Sequence, residues 1–376
     1  MQKTVLSLSV AAALAVPALA SAQATAPAAP TLDKVLEASG ISMSGYIDSA
    51  YTHSDRDIQG GFSPRVFDSY NNSFVLHQVG LQIAKQPKSG VGGLVNVTAG
   101  RDATVIHSSP DTSSSTFDIT QGFLQYATGP ITVMAGKFTT LHGTEVIWSP
   151  SNANYSRSLL FGSVPFTHTG VRVNVAPMDN LTVTAGLNNG WDQLTDSNRD
   201  KTLELGITAT PIKPLTLNLS YYGGQEPSAT TGITGRKDSY NFVAAWQVID
   251  PLSLGLELLR VQQKEAVFDS SGTATKGKYS GIAAYLSYSF MPKLKGSLRM
   301  ESFDDKDGLR FGMPAGTTEG SKYREYTVTL GYLAADNFEL RGEIRQDRAN
   351  NAVFSENATT FSKSLTTYAV QALYKF

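Results

Sequence analysis

The sequence predicts an all-β fold: a transmembrane antiparallel up-and-down β-barrel of about 16 strands, with short turns at one end and long loops at the other. Three observations predict it. Apolar residues recur at every second position along most of the chain, which is the period of a strand. The connections between these stretches alternate between short and long. The composition joins a slightly negative mean hydropathy to 17 Phe and 16 Tyr, as expected of strands that are apolar on one face only.

Residues 1–22, "MQKTVLSLSVAAALAVPALASA", carry Lys3, an apolar run and the small-residue site Ala20-Ser21-Ala22. That is the pattern of a secretory signal peptide, cleaved after Ala22 or Ala24. No later apolar run reaches the length of a membrane helix. The chain has no cysteine, so neither a disulfide nor a lipidated cysteine is expected. Residues 23–40 read as a periplasmic leader. Its first part is Ala/Pro-rich. "TLDKVLEASG" then predicts a short helix with Thr31 as N-cap and Gly40 as stop, either capping the pore or tethering the first strand.

The barrel domain is expected over 41–376. Strands are read near 41–52, 73–86, 91–101, 116–128, 131–140, 167–177, 180–189, 201–211, 214–224, 237–250, 251–266, 277–290, 293–304, 323–334, 336–348 and 363–376. Most are long enough to cross a bilayer at a tilt. Short connections such as Thr128-Gly129-Pro130, Asp250-Pro251 and Met291-Pro292 are expected in the periplasm. The long ones, at 53–72, 102–115, 141–166, 190–200, 225–236, 267–276, 305–322 and 349–362, are expected outside the cell. A large soluble sandwich is the competing all-β reading, but it gives no reason for one end to keep short turns throughout.

The faces agree. Leu203, Leu205, Ile207 and Ala209 oppose Thr202, Glu204, Gly206 and Thr208. In "DNFELRGEIRQDR" (336–348), Phe338, Leu340, Gly342 and Ile344 form one face, while Glu339, Arg341, Glu343, Arg345 and Asp347 alternate in sign on the other. An Arg or Lys at the midplane of a lipid face costs about 2–4 kcal/mol, so the charged set points inward. Lys295, Arg299 and Glu301 follow the same rule. These charges either set up a transverse field across a channel or cross-link the wall as ion pairs. Tyr221, Tyr288, Phe290, Tyr332, Tyr374 and Phe376 sit near strand ends, where aromatic girdles belong. The C-terminal strand places Tyr368, Tyr374 and Phe376 on one face. Closure of the barrel would hold its end, and the terminal Phe376 also resembles the signal that outer-membrane proteins present to their assembly machinery.

A barrel of this size encloses an aqueous channel, so passive diffusion of small polar solutes or ions is the expected function. Segment 141–166, "LHGTEVIWSPSNANYSRSLLFGSVPF", is too apolar for a solvated loop. It is expected to fold into the lumen and narrow it, with Glu145, Asn152, Asn154 and Arg157 as constriction residues. Arg172, Arg299, Glu301, Glu339, Arg341, Glu343 and Arg345 complete the candidate pore lining. A plugged structural or adhesive barrel is the alternative.

"SGYIDSAYT" (44–52), "GKFTTLHGTEVI" (136–147), "SNANYSRSLLFGSVPFTHTGVR" (151–172) and "NNGWDQLTDSN" (188–198) resemble the OmpL-like β-barrel porin family of bacterial outer membranes. The resemblance covers essentially the whole chain after the leader. It implies a barrel fold and a porin role in the bacterial outer membrane, and it names no solute. By analogy with other sixteen-stranded porins, a homotrimer is one expected state.

Other chemistry is weakly supported. A net charge of −1 argues against nucleic acid as a partner. His53, His77, His107, His142 and His168 show no metal-ligand spacing. There is no Gly-x-Ser-x-Gly turn. His142 and His168 flank the long segment, with Glu145 or Asp192 near, and offer the one hydrolase reading, at the barrel mouth. "DDKDG" (304–308) fails the EF-hand pattern because Phe303 stands at the first ligand position. No enzyme, cofactor or metal is expected. The expected partners are the lipid bilayer, the assembly machinery and small polar solutes.

Overall fold

The computed structural model describes residues 31–376, apart from 57, 59–61, 63, 111–113 and 358. The expected signal peptide and the Ala/Pro stretch lie outside the described residues. Helix α1 (Leu32–Ser39) follows Thr31 and ends at Gly40, whose φ of 65° a side chain would strain. Thr31 occupies the N-cap without a side-chain hydrogen bond.

Sixteen strands close one barrel: β1 (Ser42–Ser54), β2 (Ser73–Lys85), β3 (Gly90–Ala99), β4 (Phe117–Thr128), β5 (Ile131–Thr139), β6 (Thr167–Met178), β7 (Leu181–Asn188), β8 (Thr202–Ile212), β9 (Leu215–Pro227), β10 (Thr234–Ile249), β11 (Leu252–Phe268), β12 (Ala274–Met291), β13 (Leu294–Asp305), β14 (Ser321–Ala335), β15 (Phe338–Ala349) and β18 (Ser364–Lys375). A short helix α2 (Ala103–Ile106) and a small hairpin, β16 (Phe354–Ser355) with β17 (Phe361–Ser362), sit in long loops. Every barrel strand pairs antiparallel with its chain neighbour, and β1 pairs with β18 to close the ring.

Closure matters because lipid offers no hydrogen bonds. A free sheet edge in a bilayer would leave a row of unpaired backbone groups. Here the chain end supplies the last rungs: Phe376 N–H donates to Gly45 O at 2.9 Å, and Gly45 N–H donates to Phe376 O at 2.8 Å.

Strand faces follow the sequence period. Leu340, Ile344, Tyr368, Val370, Tyr374 and Phe376 are exposed on the outside. Arg341, Glu343, Arg345, Thr367, Gln371 and Leu373 are buried on the inside. Strands β9 to β12 and β14 run beyond their expected ends at the long-loop side, to Pro227, from Thr234, to Phe268, from Ala274 and from Ser321. Those extensions read Gln225-Glu226-Pro227 or Thr234-Gly235-Arg236. Polar and turn-forming residues stand on both faces there, so alternation carries no strand signal.

One close approach fixes the first hairpin. Gly80 on β2 is paired with Tyr46 on β1, and the Tyr46 ring lies across the space a Cβ at Gly80 would take. The ring is fully buried, and its hydroxyl donates to Gln78 Oε1. Gly80→Val should therefore displace a packed ring and cost about 1–3 kcal/mol, the usual range for overpacking. A lower urea midpoint for the folded band on unheated gels would show it.

Candidate functional site

The 141–166 segment lies inside the barrel, and the reason is legible in its own chemistry. Apart from 3-10 turns at Ser149–Ser151 and Phe161–Ser163, it has no regular structure. Its backbone N–H and C=O groups therefore need partners from elsewhere. The inward face of the wall supplies them. Glu257 on β11 accepts from Thr144 N at 2.9 Å. Glu343 on β15 accepts from Tyr155 N and Ser156 N at 2.7 and 3.0 Å. Glu301 on β13 accepts from Leu159 N and Leu160 N at 2.8 and 2.7 Å. The carbonyls are met by arginines: Arg299 donates to Ser156 O and Arg345 to Arg157 O, both at 2.6 Å.

The alternating charges of β13 and β15 are thus a clamp. Carboxylates hold the donors of the loop, and guanidiniums hold its acceptors. Charge-assisted bonds of this kind are about twice as strong as neutral ones. Counter-charges balance the clamp within the wall. Arg299 pairs with Glu325 on β14 at 3.0 Å and with Glu145 of the loop at 2.7 Å. Arg345 pairs with Asp347 at 2.8 Å, and Arg65, from the first long loop, pairs with the same Asp347 at 2.5 Å. The sequence offered a transverse field across the channel or ion pairs within the wall, and Lys295, Glu339 and Arg341 do pair within the wall. The structure adds the loop backbone as a partner of Glu301, Glu343, Arg299 and Arg345.

Apolar packing seats the loop. Leu159, Leu160 and Val164 pack with Val261, Tyr279, Ala283 and Phe303 of β11 to β13, and Ile58 and Phe62 join from the first long loop. Tyr279 donates to Ser163 O at 2.7 Å. On the far side Ser149 donates to Asp48 on β1 at 2.5 Å, and Tyr155 Oη lies 2.8 Å from His77 Nε2 on β2. Trp148 meets Tyr46 edge-on, with ring centroids 4.4 Å apart.

All eleven candidate lining residues are buried, and each is engaged. Asn152 closes the loop on itself through Val146 N, Val146 O and Trp148 O, each at 2.9 Å. Asn154 donates to Thr329 on β14 at 2.7 Å. Arg157 donates to Tyr155 O at 2.9 Å and lies over the rings of Phe67 and Phe161. Arg172 pairs with Glu204 at 2.6 Å, its guanidinium 4.0 Å from the Phe138 ring centre. Glu339 binds Arg341 at 2.9 Å and Lys295 at 3.1 Å. Glu257, Glu325, Asp48, Arg65 and Asp347 belong to the same network but are not among the candidates. Alternation in β11 and β14 already puts Glu257 and Glu325 inward, so that signal was present in the sequence.

His142 and His168 do converge, on opposite contacts with the Tyr222 ring, at 4.6 and 4.2 Å between ring centres. They form no catalytic relay. His142 is bound by Ser220 at 2.8 Å and Ser239 at 2.9 Å, with no carboxylate to orient it. Asp192 instead caps Phe166 N and Thr167 N at 2.7 and 2.9 Å. Among the described residues no group of His, Asp and Glu has a metal-binding arrangement.

A cavity of about 400 Å³ lies between the loop and the inner wall of β1 to β5, bordered by Ser44, Gln82, Asn96 and Gln121 on the wall and by Trp148 and Phe166 on the loop.

A closed sixteen-stranded barrel with an apolar outer face, a charged lumen and an inward constricting loop defines an outer-membrane channel protein. The chain belongs to the family described as "Putative beta-barrel porin-2, OmpL-like", whose profile matches residues 40–376. It is therefore a porin of the bacterial outer membrane. Solved structures agree in fold. The outer membrane channel DcaP of Acinetobacter baumannii is 14% identical, with a TM-score of 0.62, and the match covers 89% of this chain and 97% of that one. An anion-selective porin from Comamonas acidovorans is 12% identical, with a TM-score of 0.61 and coverage of 89% and 99%. OmpT of Vibrio cholerae in its trimer form is 12% identical, with a TM-score of 0.56 and the same coverage. No curated protein matches the chain.

Proposed function

We propose that small polar solutes diffuse through the space that the 141–166 loop leaves beside β1 to β5, and that this loop sets the size limit. The observation that carries the reading is the clamp. A loop held by Glu257, Glu301, Glu343, Arg299 and Arg345 is fixed across the lumen. In this reading Glu145, Asn152, Asn154 and Arg157 keep the constriction in shape rather than offer free charge to a passing ion, and Arg172, Glu339 and Arg341 brace the wall.

Residues 1–22 act as a removable export signal, 23–40 as a periplasmic leader and 41–376 as the barrel. Tyr368, Tyr374 and Phe376 present the end of the chain to the assembly machinery. The trimer form of OmpT, on the same fold, supports a homotrimer.

Single-channel recording in a planar bilayer under a salt gradient tests the passage. Discrete steps are expected. The reversal potential should be small, because the charges of the lumen are held in ion pairs and in the clamp. Silence from protein shown to be folded would overturn the open passage and leave a plugged barrel whose outer loops carry the function.

A further inference from the structure

The wall of the cavity has an order that the charged side of the lumen lacks. Ser44, Gln82, Asn96 and Gln121 are successive cross-strand partners on β1, β2, β3 and β4. They form one lateral rung of hydroxyl and amide groups. Thr139 on β5 extends it, donating to Gln121 Oε1 from its backbone N–H at 3.3 Å and its hydroxyl at 3.4 Å. The adjacent inward rung is apolar: Ala84, Leu94 and Phe123 are again successive partners and pack together with Phe138. Across the cavity stand the rings of Trp148 and Phe166.

The rung has bonding capacity left over. A glutamine offers two donors and an acceptor with two lone pairs. Among the described residues the Gln82 side chain meets no protein partner, and Gln121 uses only its oxygen. Free ionic counter-charge, by contrast, is absent from the described lining. Glu145 borders the cavity, but its carboxylate is taken by Arg299 at 2.7 Å and Ser158 N at 2.8 Å. Both ring nitrogens of His142 are held by serines.

We propose that this cavity is a binding station for a neutral, polyhydroxylated solute of about monosaccharide size. The amide rung would bond its hydroxyls. The facing rings of Trp148 and Phe166 would take its C–H faces. A volume of about 400 Å³ lies within the usual range of small-molecule sites. An ion would lose its hydration there without gaining a counter-charge. The inference rests on the passage reading above, and it predicts that permeation of such solutes saturates.

The test uses the purified folded barrel with D-glucose as probe, sodium acetate as an ionic comparison, and the variant Gln82→Leu/Gln121→Leu. Glucose should lower single-channel conductance along a saturating curve, beyond the effect of viscosity. In the double variant, glucose block read relative to that variant's own glucose-free conductance should need an at least tenfold higher half-saturating concentration. Tryptophan fluorescence, followed over the same glucose range in detergent, should saturate in parallel and lose that change in Trp148→Phe. Absence of glucose-free current would overturn the passage while the fluorescence titration still tests the station. Current without saturation in either readout, saturation unchanged in the double variant, or equal saturation by acetate would overturn the station itself.

Discussion

Replacing residues 142–164 with a short Asn-Gly turn raises single-channel conductance several-fold and lifts the size limit for uncharged solutes. The geometry favours the shortcut. Thr139 and Thr167 are direct cross-strand partners, and Thr140 N–H donates to Phe166 O at 3.1 Å. The two strands are already at hairpin distance where the loop leaves them, and a two-residue turn is a favoured closure. The wall does not depend on the loop for its backbone bonds, since every strand is paired on both sides. Excision does leave Val261, Tyr279, Ala283 and Phe303 facing water, so some loss of thermal stability accompanies the gain in current. Conductance equal to that of the intact chain would mean that the loop does not limit flow.

A gentler variant separates the clamp from the mass of the loop. Glu301→Ala with Glu343→Ala keeps every loop residue but removes the acceptors of four backbone N–H groups. A buried donor left unmatched costs about 1–3 kcal/mol, so the loop should leave its seat for part of the time. Flickering between the native and the enlarged conductance is the expected trace. Glu301→Gln with Glu343→Gln keeps one acceptor oxygen at each position but turns an NH2 donor toward the second N–H, so it should restore the steady level only in part.

The contrast between wall and loop explains what could be read in advance. Strand positions, their faces and the closing role of the last strand follow from a two-residue period and from the different costs of charge in lipid and in water. That is local information, and β15 shows it in a dozen residues. The inward turn of 141–166 was legible only as a composition too apolar for a solvated loop. Its partners were not. Glu301 meets Leu159 N and Leu160 N across a sequence separation of 142 and 141 residues, and the group it recognises is a backbone N–H, which every residue but proline has. Arg65 reaches Asp347 over 282 residues from a loop with no periodic pattern. The amide rung of β1 to β4 needs register as well as period. Gln82 and Asn96 become partners only once β2 and β3 are aligned, and register shifts at Asp48/Ser49 in the β1/β2 pairing and at Asn96/Val97 in the β3/β4 pairing break the simple period on either side. The histidines show the reverse: their convergence was legible from the positions that flank the loop, but the serines that hold both ring nitrogens of His142 were not.

Deletion of Phe376 has the second large effect, and it falls on assembly rather than on the pore. The residue closes the ring with two backbone bonds to Gly45, at 2.8 and 2.9 Å. Its ring covers Gly45, where a Cβ would collide with it, and lies 6.1 Å from the Tyr374 ring on the same outer face. Without it the last rung at the short-turn end is lost and Gly45 is left with two backbone groups facing the membrane interface. Cells expressing the deletion should hold little folded barrel in the outer membrane, and the few channels recovered should conduct normally, because the residue points away from the lumen. Two further measurements divide its roles. Refolding into lipid vesicles from urea needs no assembly machinery. A deletion that refolds there at the native yield yet fails in cells is defective as a signal. Equal failure in both assigns the loss to ring closure. Phe376→Tyr, which keeps the aromatic face and both backbone bonds, should restore outer-membrane levels in either case, and normal levels of the deletion in cells would show that the terminal aromatic is dispensable.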